Sequence, residues 1–233
     1  MSRTENGDWH AYFWPASTVL RNKLTITVGD DLREIEYRVA ELRAQEIRNG
    51  TLRIDHTFDA AHLKAIHAHL FGDVYDWAGQ YRTVNISRGG AGKVTHHFGD
   101  HSSMDMYMRQ VRRLIETPPW RDLEPDELAD ALANVHTRLN FAHPFREGNG
   151  RTTRIFMQHL AQHAGAVLDF GRVTAEAWNS ASAATFLHPY GLRGTASRSR
   201  RSTATSPAGS DTPTGPGARP DPSRSLTLSQ CQG

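Results

Sequence analysis

The 233-residue sequence predicts an all-α domain with one small β-hairpin, followed by a disordered C-terminal tail. Three observations carry that reading. Apolar residues recur at three- and four-residue spacing through most of residues 1–193. A single stretch, 81–87, alternates instead with period two. Residues 194–233 hold eight Ser, six Thr, five Pro and five Gly, with Leu226 and Leu228 as the only large aliphatics. Such a segment has too little apolar area to offset the entropy of ordering it.

Each element has its own signal. Leu32, Ile35, Val39 and Leu42 mark a first helix, with Asp30 or Asp31 available as its cap. Leu63, Ile66, Leu70 and Phe71 mark a second, which Gly72 ends. Met104, Tyr107, Met108, Val111 and Leu114 form a third stripe, stopped by Pro118 and Pro119. Leu128, Ala131, Leu132, Val135 and Leu139 form a fourth, opened by Pro125 in its first turn. Further helices are expected from Arg151 to about Ala164 and from Thr174 to about Phe186. Between the second and third, Val84 and Ile86 alternate with Thr83 and Asn85. Arg88 and a glycine-rich run follow, and Val94 and Thr95 begin a return strand.

Composition excludes several classes of function. Lys and Arg total 27 against 25 Asp and Glu, a net charge of +2. The tail carries five Arg and two Asp, so residues 1–193 hold 22 basic and 23 acidic side chains. The folded part has no basic excess of the kind that holds nucleic acid. No apolar run approaches the length of a membrane span, and the N-terminus lacks the apolar stretch of a secretory signal. The lone Cys231 forms no internal disulfide, so a bacterial cytoplasmic location is expected.

The chemistry is concentrated at residues 143–154, in the order His-Pro-Phe-Arg-Glu-Gly-Asn-Gly-Arg-Thr-Thr-Arg. Pro144 stops helix continuation through His143 and pushes that residue towards extended geometry. Gly148, Asn149 and Gly150 allow a concave nest of backbone N–H donors, and a helix starts near Arg151. A nest joined to a helix N-terminus is an anion site suited to phosphate. Arg151 and Arg154 lie three apart on one helix face and add charged donors. Glu147 beside a polyphosphate suits Mg²⁺. His143 supplies a base that is mostly neutral at pH 7. Phe145, between polar neighbours, is expected as a core anchor for the loop.

This stretch resembles the Fic-domain signature His-x-Phe-x-(Asp/Glu)-Gly-Asn-Gly-Arg-x-x-Arg at every specified position. Eight fixed positions coincide by chance on the order of 10⁻⁸ per chain. Residues 71–82 are similar to the segment leading into the flap hairpin of that family. Residues 20–24 are similar to the opening of small stand-alone bacterial members. The resemblance covers about 10–187 and implies protein adenylylation, the transfer of AMP from ATP to a Tyr, Ser or Thr hydroxyl of a target protein. By that resemblance His143 is the base, Glu147 holds Mg²⁺, and Gly148, Asn149, Gly150, Arg151 and Arg154 bind the nucleotide's phosphates. The hairpin over 82–96, with Val84, Asn85, Ile86, Ser87, Arg88 and Gly89, takes the place of the flap that docks the target by strand addition. Family analogy offers the ATPase subunits of type II topoisomerases as targets.

Other readings were weighed. A Walker loop is absent. His159 and His163 share a helix face, but the glutamate of His-Glu-x-x-His is missing, which argues against a zinc hydrolase. His62, His67 and His69, and the group His96, His97 and His101, are expected on polar faces or in the flap. Transfer of UMP, phosphocholine or phosphate stays open as an alternative, as does a non-catalytic nucleotide-binding module. After Phe186 the chain runs straight into the tail where similar domains continue with an apolar helix, through a lost final helix or a shifted reading frame. Related proteins also carry an inhibitory Ser/Thr-x-x-x-Glu-(Gly/Asn) helix. Only Glu5 and Glu147 precede Asn or Gly here, and neither has Ser or Thr four positions back. The resemblance therefore implies a toxin whose inhibitory Glu comes from a separate small antitoxin protein.

Overall fold

The structure, a computed structural model, describes residues 9–89, 95–170 and 225–226. Five helices dominate it: α1 (Gly29–Arg48), α2 (Ala60–Phe71), α3 (Met104–Glu116), α4 (Pro125–Ala142) and α5 (Asn149–His163). Strands β1 (Ser87–Arg88) and β2 (His96–His97) pair antiparallel, Ser87 opposite His97 and Arg88 opposite His96. Strands β3 (Val167–Leu168) and β4 (Ser225–Leu226) pair in parallel. The helix expected over 174–186 and all of 194–233 except Ser225 and Leu226 lie outside the described residues. That backbone pairing is one the tail's composition did not predict.

The helix ends follow local chemistry. Asp59 caps α2 by accepting from the N–H groups of Ala61 and His62, at 2.9 and 3.2 Å. Gly72 follows its last turn. Pro125 opens α4 at the first position, and the Glu124 N–H donates to Glu127 Oε2 at 3.2 Å. Helix α1 departs from expectation, since Val28 stands at its cap and makes no side-chain hydrogen bond. Asp30 and Asp31 lie inside its first turn, where they favour the positive dipole end instead.

α2 packs on α1 and α5, and α4 packs on α3 and α5. Leu63, Ile66, Leu70 and Phe71 meet Leu128, Leu132, Val135 and Leu139 in one core with Phe156 and Leu160. The α1 stripe is rotated from the one predicted. Leu32, Ala40, Ala44 and Ile47 are buried, whereas Ile35 and Leu42 are exposed. Leu32, Ala40, Ala44 and Ile47 join the common core, so packing against the neighbouring helices, rather than side-chain size, selects that face. Likewise Ile115, not Leu114, completes the α3 stripe.

The hairpin is shorter than its alternation suggested. Residues 81–86 form no strand, and the return strand covers His96–His97 without Thr95, while Val94 lies outside the described residues. Arg82 and Val84 are both buried, and their backbones serve the interior instead of a ladder.

Candidate active site

The loop between α4 and α5 is fixed from several sides. His143 caps α4 in the left-handed region, at φ 44° and ψ 60°, with its N–H donating to the Leu139 carbonyl. Pro144 therefore ends the helix as expected, but His143 curls back rather than extending. The cause lies in distant contacts that outweigh the local preference. Arg82 Nε donates to the His143 carbonyl at 2.9 Å, and the Arg82 N–H donates to the Pro144 carbonyl at 2.9 Å. The same guanidinium donates to the carbonyls of Val84 at 2.7 Å, Ala142 at 3.2 Å and Gly99. One buried cation thus satisfies carbonyls of both the α4–α5 loop and the base of the hairpin.

The loop's other side is pinned by Phe145, which is fully buried as expected. Asn149 Oδ1 accepts from the Phe145 N–H and Asn149 Nδ2 donates to the Phe145 carbonyl, both at 2.8 Å. The Asn149 side chain is therefore a clamp within the loop. The His67 ring stacks on Phe145 with centroids 3.8 Å apart. Its Nδ1 accepts from the Gly79 N–H at 2.8 Å, so Nε2 carries the proton and donates to the Glu147 carbonyl at 3.0 Å. His62 and His67 are buried, which corrects their expected place on a polar face.

Helix α5 starts at Asn149, two residues earlier than predicted. Gly148 precedes it at φ 77°, and a Cβ there would stand 2.3 Å from the Phe71 ring. Both conformation and space demand glycine. At Gly150 an added Cβ would meet nothing within 4 Å, so that face of the first turn is open. The ladder begins with the Thr152 N–H donating to the Gly148 carbonyl at 3.1 Å. The N–H groups of Asn149, Gly150 and Arg151 precede it and point out of the helix end.

Electrostatics suit a base and an anion. His143 Nδ1 lies 3.3 Å from the Asn140 carbonyl, which can only accept, so the Nε2 lone pair is left for another proton. Burial pushes the His143 pKa down to about 3, opposed by that carbonyl and reinforced by the charges of Arg82 and Arg88. The imidazole is neutral at pH 7. The side chain of Glu147 is exposed on the loop. Arg151 pairs with Glu36 of α1, which also accepts from the Tyr75 hydroxyl, while Arg151 Nη1 is buried with no partner. Arg151 and Arg154 both line a cleft of about 310 Å³ between α1 and α5.

The hairpin lies beside the base. Phe98, just after β2, stacks on the His143 ring at 3.8 Å, and its N–H donates to the Ile86 carbonyl at 3.3 Å. Of the expected docking residues, Ser87, Arg88 and Gly89 are exposed, Ile86 is half-buried and Val84 is buried. Asn85 fastens the hairpin's base, donating to Asp100 Oδ2 at 3.0 Å and accepting from the His101 N–H at 2.9 Å.

A loop of this build, with a base, an open helix end and two arginines, is also found by comparison. Residues 57–161 match the model of the Fic/DOC family. The chain is 34% identical over 171 residues to the "Probable protein adenylyltransferase Fic" of Escherichia coli K12, covering 73% of this chain and 82% of that protein. The chain belongs to the Fic/DOC family. It is also 35% identical over 181 residues to the protein adenylyltransferase VbhT of Bartonella schoenbuchensis, covering 77% of this chain but spanning only 36% of that longer relative. Among solved structures, the N-terminal Fic domain of a VirB-translocated Bep effector of Bartonella quintana, with ADP bound, aligns at a TM-score of 0.69 and 32% identity. That alignment covers 77% of this chain and 88% of the other. BepC of Bartonella tribocorum, with AMPPNP bound, also reaches 0.69, at 27% identity and with 77% and 90% coverage.

Sequence reasoning missed three residues that build this Fic/DOC site: Glu36, His67 and Arg82. His67 could have been found, since it falls on the apolar face of α2 between Ile66 and Leu70. Glu36 and Arg82 carry no local signal, because their partners are 115 and about 60 positions away.

Proposed function

We propose that the chain is a protein adenylyltransferase that moves AMP from ATP to a hydroxyl of a target protein and releases pyrophosphate. The observation that carries the reading is the intact loop, in which a neutral His143 keeps Nε2 available beside both an exposed strand edge and an open helix end. His143 Nε2 takes the hydroxyl proton, and the oxygen then attacks the α-phosphorus in line with the departing pyrophosphate. The backbone N–H groups of Gly150 and Arg151, with the guanidinium groups of Arg151 and Arg154, hold phosphate oxygens. Positioning and charge stabilisation supply most of the acceleration in such transfers. Ser87, whose main-chain groups face away from β2 in this register, offers them to an extended target segment.

The residues fit a hard divalent cation as well. Glu147 is an exposed carboxylate, and the open face at Gly150 and the unpartnered Arg151 Nη1 supply an adjacent phosphate cradle. Glu147 would hold Mg²⁺, which supplies charge neutralisation on the phosphates. The partner reading follows the same geometry. Arg154 is exposed at the α1–α5 cleft, within reach of a glutamate brought by a separate small antitoxin. Incubation with α-labelled and, separately, γ-labelled ATP plus bacterial lysate tests the transfer. Protein labelled only from the α-phosphate is expected; label only from the γ-phosphate would overturn it. Expression without the antitoxin is expected to arrest growth, and arrest should disappear in His143→Ala.

A further inference from the structure

Away from the phosphate loop, three histidines that the sequence scatters over more than 100 positions converge. His56 comes from the segment before α2, His62 from its first turn, and His159 from the third turn of α5. One ring nitrogen from each lies within 4.8 Å of the others. His62 Nε2 and His159 Nδ1 are already 2.9 Å apart, and the His56 ring stacks on His159 with centroids 4.0 Å apart. We infer that His56, His62 and His159 form a binding site for a divalent transition metal, Zn²⁺ being the best fit, distinct from the nucleotide site.

The chemistry of the donor set favours this class of ion. Imidazole nitrogens suit Zn²⁺, Cu²⁺ and Ni²⁺, whereas Mg²⁺ requires oxygens. Zinc binds nitrogen at about 2.0–2.1 Å, which places tetrahedral ligand pairs about 3.3 Å apart. The His62–His159 pair stands near that spacing, and His56, the exposed member, joins them by swinging out of its stack on His159 to aim a lone pair at the same point. One nitrogen of the 2.9 Å His62–His159 contact carries a hydrogen, which passes to the other nitrogen of its ring when both contact atoms turn to an ion; His62 Nδ1, buried without a hydrogen-bond partner, can take it.

Two features make the cluster more than a chance stack. His62 Nδ1 is buried with no hydrogen-bond partner, so the three rings do not satisfy one another. Phe58, two residues from His56, sits at φ 51°, a left-handed backbone that a bulky residue adopts only when its surroundings impose it. That turn brings His56 back over α2, and Phe58 and Phe156 wall the His62 ring at centroid distances of 5.4 and 5.0 Å. These apolar walls limit solvent access and lower the dielectric around the nitrogen donors. On the other side, His56, His159 and Asp55 line an open cleft of about 540 Å³, which gives an ion its entry and leaves a coordination position for water. Bound metal would tie the segment before α2 to α2 and α5 together.

The test uses the full chain without an affinity tag, stripped with a chelator and titrated with Zn²⁺ and with Co²⁺. One equivalent of Zn²⁺ in the micromolar range or tighter is expected, with visible Co²⁺ bands of four- or five-coordinate nitrogen ligation. Saturating Zn²⁺ should raise Tm by roughly 5 °C at a hundredfold excess over Kd. His56→Ala, a change at an exposed side chain, should leave the apo Tm unchanged, weaken Zn²⁺ binding at least tenfold and remove the Tm shift. His159→Gln, which retains a polar side chain, should remove the Co²⁺ bands. Absence of stoichiometric binding, or binding that His56→Ala leaves untouched, would overturn the site.

Discussion

The loop at 143–150 and the hairpin at 82–97 flank the same imidazole, yet they are built on opposite principles. The loop is locked: Arg82, Asn149 and His67 satisfy its backbone, and Phe145 fills the core beneath it. The hairpin has a two-residue ladder, exposed strand residues in β1, and anchorage mainly at its base through Val84, Asn85 and Phe98. Phosphate chemistry tolerates little misplacement of the base, whereas docking an extended segment by its main chain requires an edge that is open. The difference teaches that, under the proposed function, rigidity is concentrated where atoms would react. Among the described residues, the buried Arg82 side chain hydrogen-bonds to both regions and ties them together.

The largest expected effect breaks the locked side chemically. His143→Ala should lower kcat about 10²–10⁴-fold while nucleotide affinity, measured by calorimetry, stays unchanged. An equal loss of nucleotide affinity would mean that the base and the phosphate groups do not divide their roles as described.

Next comes the strut. Arg82→Ala would leave several buried carbonyls without donors, at a cost of about 3–5 kcal/mol and a fall of about 10 °C in Tm. Activity should fall even at temperatures where the variant is folded, and amide exchange should rise in the loop and the hairpin together. If only the hairpin loosens, Arg82 does not couple the two regions.

A smaller effect follows from pH. Burial lowers the pKa of His67 to about 4, with His143 at about 3 and His62 and His159 at about 3 and 4. In the unfolded chain these groups titrate near 6.5 and bind more protons than in the native state below that pH. Stability should be flat above about pH 7 and fall steadily from about pH 6.5 to about pH 4. Chemical denaturation across that range checks the sign, and a protein that becomes more stable on acidification would contradict the neutral burial of these rings.

The mildest perturbation addresses the open side. Ser87→Pro removes one backbone N–H from the β1 edge and should raise KM for the target protein several-fold, roughly 1 kcal/mol, with KM for ATP unchanged. Ser87→Ala should do nothing measurable. Equal effects from both would show that the side chain, rather than the main chain, makes the contact.

Sequence by itself determined the parts of this protein that depend on local backbone chemistry. Pro125 and Gly72 bounded helices, Pro144 ended α4, and the spacing from His143 to Arg154 pointed to the Fic/DOC family, because capping, φ limits and helix periodicity act within a few residues. Tertiary structure decided the rest. It turned Ile35 and Leu42 outwards, because periodicity marks apolar positions but not which neighbour covers them. It bent His143 into the left-handed region against the preference Pro144 sets, joined Glu36 to Arg151, and gathered His56, His62 and His159. Each of these rests on polar contacts between distant positions, and a polar group drawn towards the interior must find its partner wherever the packed helices supply one.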